Sequence, residues 1–148
     1  MKRIVFACVA LMLLFASACS APKIEVPPGD YEIGGDIVPG IANLVGEKEQ
    51  KDAPTTTTEN KILKKTYSYK SDSVTQDLFT YLFALMEQHG YVPTADFDLN
   101  NPTGTASIGI ASKDEGNVIL VGVMYDEEGY SLTLMKLEGV LEDKNAPS

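Results

Sequence analysis

Tryptophan is absent from this chain of 148 residues, histidine occurs once and cysteine twice. Each shortage closes a class of function. A zinc site needs several Cys or His ligands, and His89, Cys8 and Cys19 cannot supply them. A Ser-His or Cys-His nucleophile would need His89 held by an acid in a cleft, and no G-x-S-x-G elbow accompanies it. His89 instead stands beside Gly90, where a helix C-terminus favours a cationic ring. Gly104-Thr105-Ala106 lacks the Lys and the spacing of a phosphate loop. Without tryptophan, a sugar-stacking surface would rest on Tyr67, Tyr69, Phe79 and Phe83, residues that a small core needs for packing. Basic charge is scarce too: 12 Lys and Arg stand against 21 Asp and Glu, a net charge of −9. Such a surface repels phosphate backbones, which argues against nucleic acid, and it is not drawn to anionic lipid. No catalytic residue, cofactor or metal is expected.

The N-terminus is more informative. Lys2 and Arg3 precede an apolar run from Ile4 to Phe15, followed by Ala16-Ser17-Ala18. That is the basic, apolar, small-residue order of a secretory signal peptide. The 15 residues from Ile4 to Ala18 fall short of the roughly 20 that span a bilayer as a helix. Cleavage after Ala18 fits ordinary secretion. Ala16-Ser17-Ala18-Cys19 also resembles the lipobox of bacterial prelipoproteins, and Cys19 would be the lone thiol of an exported chain, which itself calls for an explanation. The resemblance implies a diacylglycerol on Cys19, cleavage between Ala18 and Cys19, and attachment to the cell membrane or outer membrane with the domain outside the cytoplasm. Each acyl CH₂ in the bilayer contributes about 0.8 kcal/mol, so two chains anchor stably. Removing residues 1–18 takes away Lys2 and Arg3 but no acid, and the net charge moves from −9 to −11.

Beyond the signal, residues 19–30 are rich in Pro and small polar residues and read as an extended tether. Residues 31–45 read as a short strand and Pro-Gly turn, with Ile41 to Val45 a second strand or a helical turn. The run G-D-Y-E-I-G-G-D-I-V-P-G, residues 29–40, resembles the strand-turn units of surface proteins of Gram-positive bacteria. Residues 46–61 hold almost no apolar side chain and read as a polar linker. The folded unit is expected over 62–141, with a fraying tail at 142–148.

Within 62–141 the periods change in order. Tyr67 and Tyr69 alternate on a strand. Ser73-Val74-Thr75-Gln76 fits a capping box, and Gly90 with Pro93 ends the helix. Its apolar residues cover an arc near 200°, more than one sheet face needs, and the excess is Phe79 and Phe83. Three strands then follow, through Ala106 to Ile110, Val118 to Tyr125 and Tyr130 to Leu137, joined by turns too short for crossovers. The run at Val118 to Tyr125 suggests burial on both faces. The expected class is α+β, one amphipathic helix on a mostly antiparallel sheet in the order β-α-β-β-β. Residues 31–45 are the expected cover for a second, partly apolar sheet face carrying Val118, Leu120, Met124 and Met135.

One stretch imitates a calcium loop. Asp96, Asp98 and Asn100 occupy its first, third and fifth places, but Asn101 stands where Gly is needed and Ser107 where Glu is needed. An acidic turn is the expectation, and the same holds for Asp126, Glu127 and Glu128. Two function classes stay open. One is a non-catalytic envelope lipoprotein that binds a protein or an envelope polymer, with Phe79 and Phe83 as the candidate partner surface. The other is a hydrolase or metal-dependent envelope enzyme built on acidic residues.

Overall fold

The computed structural model describes residues 23–142. Cys19, the Ala18–Cys19 cleavage point and the end of the tail lie outside the described residues. The class is α+β: a mostly antiparallel sheet with two helices. The elements run β1 (Tyr31–Ile33), β2 (Asp36–Val38), α1 (Ile41–Leu44), β3 (Thr55–Glu59), β4 (Ile62–Lys70), α2 (Val74–His89), β5 (Val92–Pro93), β6 (Gly104–Ala111), β7 (Asn117–Asp126) and β8 (Gly129–Glu138). Six strands form one sheet in the order β3-β4-β8-β7-β6-β5, every neighbour antiparallel, and β1-β2 is a separate hairpin. Over 62–141 the order is β-α-β-β-β-β, because the two-residue β5 follows α2, and outside it the strands β2 and β3 were not expected.

The alternation of β7 and β8 sets the core. Ile119, Val121, Val123 and Tyr125 on β7, and Tyr130, Leu132 and Leu134 on β8, point to one face and are buried. Helix α2 lies on that face with Val74, Leu78, Tyr81, Leu82 and Leu85 buried. Ser73 is the N-cap residue but forms no capping bond; its hydroxyl donates to Asp77 Oδ1 at 3.2 Å instead, so the capping box is not made. The helix ends as its sequence requires, on Gly90 in the left-handed conformation, with the Gly90 and Tyr91 N–H groups both reaching the Leu85 carbonyl.

Residues 31–45 share this core. Tyr31, Ile33, Val38 and Ile41 pack in one cluster with the helix and the sheet. They extend the layer of α2 rather than cover the opposite face, because the Tyr81 hydroxyl donates to the Pro39 carbonyl at 2.9 Å and ties the segment to the helix. The hairpin turns on Gly34 and Gly35, both at positive φ. Gly40 passes so close to the chain that a Cβ there would stand 1.6 Å from the Gly29 carbonyl oxygen. Asp30 accepts from the Gly40 N–H at 2.8 Å and closes that loop.

The opposite face of the sheet is consequently open in part. Its open part lies around Met124, which is 68% exposed, while Val118 on the same face of β7 is buried at 5% exposure. The apolar run of β7 is thus covered on both faces at its start and on one face only at its end. Hydroxyls pair across that face, Ser68 with Ser131 at 2.8 Å and Thr66 with Thr133 at 3.2 Å.

Residues 46–61 are not a free linker. The Lys51 N–H bonds the Ser68 carbonyl, the Lys70 N–H bonds the Glu49 carbonyl, and β3 pairs with β4 through a two-residue turn at Asn60-Lys61, both at positive φ. Most of the outer edge of β4 is thus paired with backbone from this segment, although all five side chains of β3 are exposed. The strand is held by its main chain, and an apolar count does not register it.

Candidate functional site

Helix α2 presents two unlike faces. Leu78, Tyr81, Leu82 and Leu85 meet the core, while Phe79 and Phe83, one turn apart, stand 56% and 46% exposed. Their rings stack on each other with centroids 5.1 Å apart and planes inclined by 16°. Residues at i and i+4 share a face of a helix, so the pairing follows from the sequence spacing. The segment 31–45 does not cover these rings and is engaged at Tyr81 instead. The arc of nearly 200° thus resolves into a buried stripe and an exposed aromatic flank.

Phe79 also forms one wall of an open cleft of about 740 Å³ at the start of α2. Asp72, Ser73, Thr75 and Gln76 line it from the helix side, Asp126 and Glu127 from the β7–β8 turn, and Pro102 from the loop before β6. The Ser71 N–H donates to the Glu128 carbonyl at 3.2 Å, which draws the residues before α2 against that turn. Asp126 spends one oxygen on the turn itself, accepting from the Glu128 and Gly129 N–H groups at 2.8 and 3.0 Å.

The other aromatics do not join this surface. Tyr67 stacks on Tyr31 at 4.3 Å, and Tyr69 is buried against Tyr130. The Tyr31 hydroxyl pairs with that of Tyr69 at 2.8 Å and accepts from the Ile41 N–H at 3.1 Å. Burial holds Tyr31, Tyr81 and Tyr130 well above the ordinary tyrosine value, so they are neutral hydrogen-bonding groups.

Two carboxylates outside the candidate set prove central to the fold. Asp77, in the first turn of α2, is buried and fully engaged. Lys48 Nζ lies 2.9 Å from its Oδ1, the Ser71 hydroxyl donates to Oδ2 at 2.6 Å, and the Ser73 and Tyr130 hydroxyls complete the shell at 3.2 and 3.4 Å. With every lone pair directed at a donor, it has no direction left from which to take a substrate proton. The clue in the sequence was the pair of serines four and six residues before it.

Asp36 is the second. Lys136 Nζ lies 2.7 Å away, the Ser112 hydroxyl donates at 2.7 Å and the Lys113 N–H at 2.9 Å. Lys136 also contacts Asp114 and the Gly34 carbonyl. Burial raises the Asp36 value, but its three donors outweigh it and hold the carboxyl below the ordinary range. His89 is exposed at the end of α2 and lines a groove with Tyr91 and Ser112; no hydrogen bond to its ring occurs among the described residues.

In the DFDLNN loop the Asp98 carboxylate accepts from the Asn100 N–H and side-chain amide at 2.9 and 2.7 Å, an Asx turn. Its backbone braces the core, with Tyr125 donating to the Asp98 carbonyl and Thr75 to that of Leu99. Among the described residues no three His, Cys, Asp or Glu side chains converge as metal ligands, and no helix is long and apolar enough to cross a membrane. Comparison with protein-family models, curated proteins and solved structures finds no match to this chain.

Proposed function

We propose that this chain is a lipid-anchored envelope protein whose small α+β domain is a non-catalytic binding module. Its ligand is another protein, engaged through Phe79 and Phe83. The carrying observation is that stacked pair. Two phenylalanines left in water beside a well-packed core lose the burial that stabilises Leu78, Tyr81, Leu82 and Leu85 of the same helix. Contiguous exposed aromatics of this kind mark interaction surfaces, and aromatic anchors dominate the energetics of protein interfaces. Phenylalanine has no polar tip for sugar hydroxyls, which favours a protein over a polysaccharide.

The anchor rests on the sequence alone: a signal-like run, Ala16-Ser17-Ala18, and a single exported thiol at Cys19. Mass spectrometry of the mature N-terminus tests it. A diacylglyceryl mass on Cys19, lost in Cys19→Ser with accumulation of precursor, is the expected result; an unmodified Cys19 rejects it. For the surface, a photo-crosslinking residue is placed at Phe83 or at Met124 on the open sheet face, in cells. A discrete adduct from position 83 and none from 124 is expected. The reverse pattern moves the binding surface to the sheet.

A further inference from the structure

Resting on that reading of Phe79 and Phe83, we infer that the partner segment is cationic: a stretch of peptide that presents lysine or arginine beside an apolar side chain. The apolar half of the surface is the aromatic pair. The charged half is the cleft of about 740 Å³ that Phe79 shares, whose walls carry Asp72, Asp126 and Glu127 and no lysine or arginine. Neither Asp72 nor Glu127 is in an ion pair among the described residues. Of the lysines on the flanking segments, Lys48 is engaged by Asp77 and Lys70 by Glu49. Lys51 stands beside Asp126 in a neighbouring groove, outside the cleft, which leaves Asp72 and Glu127 as the cleft's unpaired charges among the described residues. The start of α2 also opens into the cleft, but a helix N-terminus carries only about half a positive charge against three carboxylates.

Charge therefore selects the occupant. A second copy of a chain at −9 would set carboxylates against carboxylates in an isologous contact. An anionic lipid surface meets the same repulsion. A peptide with a cation next to an apolar residue satisfies both halves. Its apolar side chain covers Phe83, and its cation sits over the Phe79 ring or in the cleft, where ring face and carboxylates both attract it.

The test uses the full lipidated chain in neutral phosphatidylcholine nanodiscs. Three labelled helical peptides of equal length are titrated by fluorescence anisotropy: one of Lys and Leu, one with Glu for Lys, one with Ser for Leu. The Lys/Leu peptide is expected to bind at least about tenfold tighter than either other and to weaken as salt rises. Asp72→Asn with Glu127→Gln should cost about tenfold and flatten the salt dependence. Phe83→Ser should abolish binding with the melting temperature nearly unchanged. If Phe83→Ser abolishes binding but the charge variant and the Glu peptide behave like their references, the cationic inference falls and the aromatic surface stands. If Phe83→Ser leaves Lys/Leu binding intact, the surface itself is wrong. No binding by the Lys/Leu peptide, or equal binding of all three, overturns the inference.

Discussion

Residues 31–45 and residues 46–59 are neighbours in the chain and opposites in how they are held. The first segment has only very short elements yet buries Tyr31, Ile33, Val38 and Ile41. The second exposes nearly every side chain yet pairs its backbone along the edge of β4, through Glu49, Lys51 and β3. One is fixed by side-chain burial and local clasps, the other by main-chain hydrogen bonds. Burial is worth roughly 1.5–3 kcal/mol for each large apolar side chain, whereas a net backbone hydrogen bond is worth about 0.5–1.5 kcal/mol. The two segments should therefore respond to mutation in different ways.

The largest effect is expected where the first segment enters the core. Ile33 and Leu82 are both buried, one from the hairpin and one from α2. Truncating either to Ala removes packed methyl groups and should cost about 2–5 kcal/mol, out of about 5–15 kcal/mol for the domain. Chemical denaturation of Ile33→Ala and Leu82→Ala should shift both midpoints alike. A small loss at Ile33 beside a large one at Leu82 would return residues 31–45 to the status of an appendage.

Polar groups of the same segment come next. Tyr31→Phe deletes the hydroxyl shared with Tyr69 and leaves the Ile41 N–H without its acceptor. A buried donor left unpaired costs about 1–3 kcal/mol, and the Tm of Tyr31→Phe should fall accordingly. Asp36, at the end of the hairpin, adds a pH dependence. Its folded value lies below the ordinary 3.8, so its contribution is fully present above 3.8 and is lost as pH falls through the folded value. The acid limb of Tm against pH should flatten in Asp36→Asn, and an unaltered limb would remove Asp36 from the clasp.

The second segment breaks differently, and shows why it was hard to read. In a two-residue hairpin the residues flanking the turn exchange both hydrogen bonds, so Glu59, Thr57 and Thr55 bond β4 while Thr58 and Thr56 direct N–H and C=O outward. The same phase appears further along, where Ser68 and Lys70 bond residues 51 and 49. Thr57→Pro should thus cost about 1–3 kcal/mol by deleting a ladder bond, and Thr56→Pro less than about 1 kcal/mol. Equal losses would reverse the assigned phase. The sheet's last three strands, α2 and its Gly90 stop were legible because alternation and the 3.6 period both report burial. β3 buries no side chain, so its four threonines looked like a linker. Ile33 and Val38 alternate over only three residues each, too short a run to reveal that they join the main core. At the candidate site the exposed pair was legible as an excess on the helical stripe. The cleft beside it was not, because Asp72 and Glu127 meet through the Ser71–Glu128 contact and Pro102 joins them on a loop held by Tyr125 and Thr75, all contacts between distant parts of the chain.

The smallest expected effect on stability falls on the residue assigned the largest role in binding. Phe83 is 46% exposed and leans on Phe79 rather than on the core. Phe83→Ser removes that stacking contact, worth about 0.5–1.5 kcal/mol when buried and less in water. It also takes apolar surface out of solvent contact, which offsets part of the loss. The net change should stay within about 1 kcal/mol, as for other surface substitutions, against the 2–5 kcal/mol of Leu82→Ala one position away. Thermal melts of the two variants side by side read this contrast along a single helix. A Phe83→Ser loss matching that of Leu82→Ala would mean that the aromatic flank is covered in solution, and it would take the candidate surface with it. A small loss with binding of the Lys/Leu peptide gone would separate binding from folding at one side chain.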